Sequence, residues 1–376
     1  MYQTTKLNTY GFKKENLRKH KEDSELEGIL LTTPENIYYT TGYTMLPSSG
    51  NPILFSLKNR LPPFCYIDED GNRTLFCWIY STLGMEFEVE NVVEFRHFED
   101  ALQKLELFIA SKFSKSAKLG IESSCPFYVT NLLHEIVQSQ DLTVVDDLIL
   151  GLRLIKSAEE LEIIRKGTEI IERTLSDLYD EIHMGMSRLD LMQETKSRLF
   201  KNGATGISHL TYSFGKTNPE FAIDETIEEG DLITLDLGGK YLGYSSDNRR
   251  YMYGGAVPNV ILDHYNLMVE IIDEIGEALI PGTKYSDLYK LADDLFIKHD
   301  LTPDVVRVGH NMGLETEEDW IMNDPMHSVQ ENMVINLELY SFTKTGENIG
   351  NEETYIVNES GPSRITLLPR EIKVIE

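Results

Sequence analysis

Four acidic residues stand where acids are costly. Asp236 interrupts the apolar run of Leu232, Ile233, Leu235 and Leu237, and Asp247 follows in a second strand-like run of "DLITLDLGGKYLGYSSDNRR" (231–250). Downstream, "NMVINLELYSF" (332–342) alternates: Met333, Ile335, Leu337 and Leu339 share one face, Asn336 and Glu338 the other. Glu352 lies in the next strand-like run, "GNEETYIV" (350–357). The midpoint of Asp236 and Asp247 falls between Tyr241 and Leu242, inside the turn candidate Lys240–Gly243. That spacing predicts direct cross-strand neighbours, about 5 Å apart at Cβ. Glu338 and Glu352 are centred on Thr345, inside Lys344–Glu347, and are predicted to face each other in the same way. Like charges set opposite one another destabilise a sheet unless one is protonated or a cation lies between them.

His310 adds a nitrogen donor. It follows the apolar run Val305-Val306-Arg307-Val308 and sits in Gly309-His310-Asn311-Met312-Gly313, whose glycines imply a close approach of backbone to another group. Four carboxylates and one imidazole suit two divalent metal ions, with manganese first and cobalt, zinc and iron as alternatives. Each residue alone reads more plainly, as a turn acid, a wet strand face or a satisfied buried histidine. The recurrence of the acidic hairpin is what points to metal.

These hairpins need a scaffold. "HMGMSRLDL" (183–191) is echoed by "IPGTKYSDL" (280–288), with Gly185 on Gly282, Asp190 on Asp287 and Leu191 on Leu288. The preceding helical stretches keep register: Ile171, Leu175, Leu178 and Ile182 fall on Met268, Ile272, Ile275 and Leu279. Each copy thus reads as helix, glycine turn, helix and strands, a duplicated unit. Ser157 and Glu160 form a capping-box pattern at the head of the first helix. Before it, the chain alternates strands (28–32, 74–78, 118–121, 142–145) with helices (98–113, 131–139), as an α/β unit does. The predicted domains are 1–151 and 152–376.

Composition bounds the function. The chain has 376 residues, 41% hydrophobic and 26% charged, as in an ordinary globular protein of roughly two to three domains. A net charge of −27 argues against a binder that tracks nucleic-acid phosphates. No apolar run reaches the ~18 residues of a membrane span, and the N-terminus lacks the apolar core of a signal peptide. A cytoplasmic protein that engages neither nucleic acid nor membrane is expected. Cys65, Cys77 and Cys125 form no CxxC pair and read as reduced, structural thiols.

The order Asp236, Asp247, Gly-His310-x-x-Gly, Glu338, Glu352 resembles that of the pita-bread metallopeptidases, which include Xaa-Pro aminopeptidase, prolidase and methionine aminopeptidase; creatinase shares the fold without the metals. "LRLIKSAEELEII" (152–164) is similar to the family's interdomain segment, and "ENIYYTTGYT" (35–44) to a stretch in the N-terminal domain of its prolidase and creatinase branch. The resemblance covers about residues 25–360. It implies an α+β chain: a C-terminal pita-bread fold, with duplicated helix-helix-hairpin units on a curved antiparallel sheet, behind an N-terminal α/β creatinase-like domain. It also implies a two-metal hydrolase in which an activated water attacks a carbonyl. Asp236 and Asp247 would bind one metal, Asp247 and Glu352 would bridge, and His310 and Glu338 would complete the second. Glu338 would be the catalytic proton shuttle.

Departures from the pattern fall around this cage. Family members usually carry a histidine in the loop before the first aspartate strand, and "SFGKTNPEFAIDETIEEGD" (213–231) has none. They carry another seven residues after the ligand histidine, where Glu317 stands here. Arg249 replaces a usual small hydroxyl residue, while Arg250 fits the pattern. Four substrate-binding candidates follow: Glu317, His209, His327 and Arg250. The plainer readings are a solvated acidic run for Glu317 and structural or surface histidines for the other two. Three functions stay open. The first is a C–N hydrolase of the Xaa-Pro dipeptidase or aminopeptidase kind, a homodimer acting on small peptides. The second is an enzyme for a small non-peptide amide or osmolyte. The third is a catalytically silent module that binds peptide or protein.

Overall fold

The structure is a computed structural model that describes residues 5–21, 25–46, 52–113, 118–137, 141–215, 225–302 and 307–375. The described residues form two compact units, Met1–Arg153 and Leu154–Glu376.

The first unit is built on a mixed sheet. Among the described residues its strand order is Asn91–Phe95, Arg73–Trp78, Phe64–Asp68, Gly28–Leu31, Leu119–Ile121, Leu142–Val144. The central strand Gly28–Leu31 is wholly buried, which is why it reads as a continuous apolar run rather than an alternating one. Helices Phe98–Lys112 and Phe127–Ile136 pack Leu105, Ile109, Val129 and Leu133 into a core with Leu30, Phe64, Phe76 and Phe95. The second helix begins at Phe127, earlier than the predicted 131, directly after Pro126; residues 138–140 lie outside the described residues.

The second unit repeats itself, as the sequence echo predicts. Helices Ala158–Tyr179 and Arg188–Asn202 form the first copy, and Asn259–Glu277 and Tyr285–Lys298 the second. The capping box at Ser157 is formed in both directions with Glu160. Gly185 (φ 79°) and Gly282 (φ 98°) turn the chain in the left-handed region that glycine tolerates best. All ten of these apolar residues matched between the copies, Leu191 and Leu288 included, are buried. The echo extends to two isolated bridges, Ser187 with Thr226 and Lys284 with Ser328. No described helix is long and apolar enough to cross a membrane.

Each copy ends in a hairpin within its own sheet. The aspartate hairpin pairs Leu232–Tyr241 with Tyr244–Gly254, flanked by Gly206–Phe214 and Lys373–Ile375. The glutamate hairpin pairs Val334–Phe342 with Asn348–Asn358, in a sheet that also holds Gly309–Asn311, Asp319–Ile321 and Gly361–Arg364. Along strand 232–241, Ile233, Leu235 and Leu237 pack on Ile170, Ile171, Leu175 and Leu178 of the long helix. The strand period of two then turns Asp236 away from that core. The hairpins lie side by side: the Gly350 backbone N donates to Tyr251 Oη at 3.0 Å, and Thr354 Oγ1 to the Asp247 carbonyl at 3.3 Å. The four acids therefore converge between them.

Candidate metal centre

Register decides how the acids meet. Glu338 pairs directly with Glu352, as their spacing predicts. Asp236 does not pair with Asp247: Asp236 faces Arg249, and Asp247 faces Gly238. The correction follows from the turn. The hairpin closes at Tyr241↔Tyr244, leaving Leu242 (φ 47°) and Gly243 (φ 87°) as a two-residue turn. Both central residues are left-handed, the geometry that matches strand twist in tight hairpins. The aspartates stay on one face but sit diagonally.

A histidine joins them. His209, on strand 206–214, places Nε2 2.9 Å from Asp236 Oδ1 and 3.2 Å from Asp247 Oδ1. It pairs with Gly238 at a register irregularity, and a Cβ on Gly238 would run into Ser208 Oγ and the His209 ring. The first glycine of "LDLGGKY" is what admits the imidazole.

On the glutamate side, His310 Nε2 lies 3.7 Å from Asp247 Oδ2 and 3.8 Å from Glu338 Oε2. These separations exceed hydrogen-bonding distance. Asn336, opposite His310 in register, donates to Glu352 Oε1 at 2.6 Å. Buried Asp247 Oδ1 and Glu352 Oε2 make no hydrogen bond; the cationic groups beside them are His209, with Nε2 at 3.2 Å, and Arg249, with Nε at 3.6 Å. Gly309 and Gly313 have separate packing reasons. A Cβ on Gly309 would strike the Asn336 carbonyl, and one on Gly313 would come within 2.6 Å of the Glu318 carboxylate. Val305 and Val306, part of the apolar run before this motif, lie outside the described residues.

Two arginines enter among the acids. Arg249 donates through Nη2 to Asp236 Oδ2, lies 3.6 Å from both Glu338 Oε1 and Glu352 Oε2, and stacks 4.3 Å from the Tyr340 ring centroid. Tyr340 Oη donates to Glu338 Oε1. Arg307 donates to Glu338 Oε2 at 2.6 Å and to both oxygens of Glu317. Glu317 also accepts from Trp320 Nε1 at 2.7 Å, so it is a bound partner of Arg307 rather than an acid held free for a cationic substrate.

These contacts set the charge states. Burial pushes the Asp236 carboxyl up, but Arg249 and His209 outweigh it and leave the group well below the usual carboxylate range. Asp247 is lowered too, with His209 opposing burial. Glu352 goes the other way: burial, then Asp247, Asp236 and Glu338, raise it well above an ordinary glutamate. Burial works against a charged His209, yet Asp247 and Asp236 raise it well above an ordinary imidazole.

The other candidates lie elsewhere. Arg250 points to the opposite face of strand 244–254, fully buried, donating to the carbonyls of Arg249 (2.8 Å) and Leu368 (3.0 Å) and pairing with Glu353 at 3.3 Å. Strand alternation separates it from the cage that Arg249 faces. His327 is exposed, pairs with Asp324 and lies over Tyr285, which keeps it out of the acidic cluster. Residues 216–224, most of the loop lacking the family histidine, lie outside the described residues. Arg307, Tyr340 and Asn336 were not singled out from sequence. Only Asn336, on the same strand face as Glu338, carried a signal there.

A cavity of about 260 Å³ opens beside this cluster, with Asp236, Arg249 and Tyr251 on one side, Thr211, Ser213 and Thr234 along the sheet, and Asn348 across it.

The model of metallopeptidase family M24 matches residues 162–359, and that of the creatinase/prolidase N-terminal domain matches residues 13–155. The chain belongs to metallopeptidase family M24. It is 25% identical to the Xaa-Pro dipeptidase of Pyrococcus furiosus, over 95% of this chain and 98% of that one. Among solved structures, the Thermococcus sibiricus prolidase superposes with a TM-score of 0.83 at 20% identity, covering 97% of this M24 chain and 99% of that one. The N-terminal domain of FACT complex subunit SPT16 from Cicer arietinum superposes at 0.73 with 15% identity, covering 95% and 96%. These likenesses carry the fold: a creatinase-type N-terminal domain and a pita-bread C-terminal domain.

The donor set fits a divalent ion on one side. His310, Asp247 and Glu338 offer one nitrogen and carboxylate oxygens held 3.7 and 3.8 Å from it, and Glu352 lies directly across the hairpin from Glu338. On the other side, both Asp236 oxygens already accept from protein donors, Arg249 and His209.

Proposed function

We propose that this chain is a metal-dependent hydrolase that cleaves a C–N bond in a small Xaa-Pro peptide. The observation that carries the reading is the gap at His310. Its Nε2 stands 3.7 and 3.8 Å from the Asp247 and Glu338 carboxylates, in a cluster where two buried carboxylate oxygens, Asp247 Oδ1 and Glu352 Oε2, make no hydrogen bond. An orphaned buried carboxylate oxygen is costly, and a cation relieves that cost. A divalent ion held there would supply Lewis-acid polarisation of the scissile carbonyl and acidification of water.

The protein's own groups do the rest. Glu338 is the proton carrier between water and leaving nitrogen, oriented by Tyr340 Oη on one oxygen and Arg307 on the other. Glu317 holds Arg307 in place. His209 and Arg249 keep Asp236 ionised. Thr211, Ser213, Thr234 and Asn348 offer hydroxyl and amide groups to a polar substrate.

A panel of Xaa-Pro dipeptides and longer Xaa-Pro peptides, assayed with added manganese or cobalt, tests this. Turnover that chelator abolishes and metal restores is expected; bound metal without turnover of any member rejects the peptidase assignment. The small polar cavity favours a second reading, hydrolysis of a small non-peptide amide, and a panel of such amides is its test.

A further inference from the structure

We propose that Arg249 is the resident cation of the first metal position, so that the protein takes one divalent ion per chain, on the His310 side, instead of two. The inference rests on the metal-dependent reading above and narrows it.

The two sides of the cage differ. Asp236, which the family pattern assigns to the first metal, has no oxygen free of a protein donor: Oδ2 accepts from Arg249 Nη2 and Oδ1 from His209 Nε2 at 2.9 Å. The Arg249 guanidinium also lies 3.6 Å from Glu338 Oε1 and from Glu352 Oε2, and so stands among three of the four carboxylates. It is held by position: it faces Asp236 in register, and Tyr340 lies 4.3 Å beneath it. A guanidinium cannot shed its proton to make room, as a lysine or histidine could. It carries one charge in a planar fork, meeting a carboxylate's geometry without a second metal.

On the His310 side the guanidinium present, Arg307, meets a single cage carboxylate, Glu338. There His310 Nε2 stands 3.7 Å from Asp247 Oδ2 and 3.8 Å from Glu338 Oε2, apart from both. Arg307 takes Glu338 Oε2 while pairing with Glu317. Such hydrogen bonds to a ligand orient it without displacing an ion.

The test is a metal count on the full-length protein, stripped with chelator and titrated with manganese(II), read by calorimetry, elemental analysis and electron paramagnetic resonance. Wild type should bind one manganese per chain, with the spectrum of an isolated ion. Arg249→Thr should bind two, with the spectrum of a coupled pair. Asp236→Asn should keep the single ion, because Asp236 is assigned to Arg249 and not to metal; this variant decides the matter if Arg249→Thr fails to fold. Two manganese ions in wild type, or loss of the ion in Asp236→Asn, overturns the Arg249 assignment and leaves the metal-dependent reading standing. Failure of wild type to bind any ion overturns both.

Discussion

Arg249 stands directly opposite Asp236 in the aspartate hairpin, and its guanidinium donates to that carboxylate. Where the spacing of acids predicted two facing aspartates, the sheet sets an arginine against the first and a glycine against the second. The acid in the apolar strand is therefore offset by a neighbour in its own hairpin. His209 completes the arrangement through the space that Gly238 leaves.

Gly238 should tolerate no side chain. Its backbone is not left-handed; the constraint is the imidazole lying where a Cβ would be. Gly238→Ala is expected to destabilise by about 1–3 kcal/mol through overpacking and to push His209 away from both aspartates. Thermal melts and the His209 ring resonances check it; unchanged resonances would rule the displacement out.

Arg250 should behave as a structural residue. It is buried and satisfies the Leu368 carbonyl and the buried Glu353 carboxylate. Arg250→Met is expected to cost roughly 3–5 kcal/mol, because it leaves an acid without its cation. KM for the folded fraction should stay at the wild-type value. A raised KM with unaltered Tm would return Arg250 to the substrate site.

Glu338 should be indispensable to turnover. Glu338→Gln keeps the side-chain shape but removes the carboxylate that carries the proton. A fall in kcat of about a hundred- to ten-thousand-fold is expected. Far-UV dichroism should be that of wild type, and retained activity would refute the role.

Stability of the metal-stripped protein should fall on both sides of neutrality. Asp236 is depressed from 3.8, so its contribution is present above that value and is lost as pH falls through its folded pKa. His209 is raised from 6.5, so its contribution is fully present below that value and is lost as pH rises through its folded pKa. His209→Gln should flatten the alkaline limb of a plot of Tm against pH. An alkaline limb identical to wild type would exclude His209 as its source.

The repeat and the two acid-bearing hairpins were legible because they rest on local rules. Apolar periodicity, a glycine turn and a capping box act over a few residues, and they recur at a fixed offset. The Glu338 and Glu352 pair was legible for the same reason, since its turn is centred on Thr345. The aspartate hairpin turns one position later than the spacing of its acids predicts. Leu242 and Gly243 both take positive φ, and that choice moved Arg249 opposite Asp236.

Sequence alone determined which side chains line the two hairpins, since strand alternation and turn spacing are properties of neighbours along the chain. Tertiary structure alone decided what meets them. His209 reaches Asp236 across a separate strand, Arg307 reaches Glu338 from the loop before His310, and Arg250 turns its back on the cage that Arg249 enters. Those outcomes depend on the register between strands and on which face of each strand is buried. Both are set by packing among segments far apart in the chain.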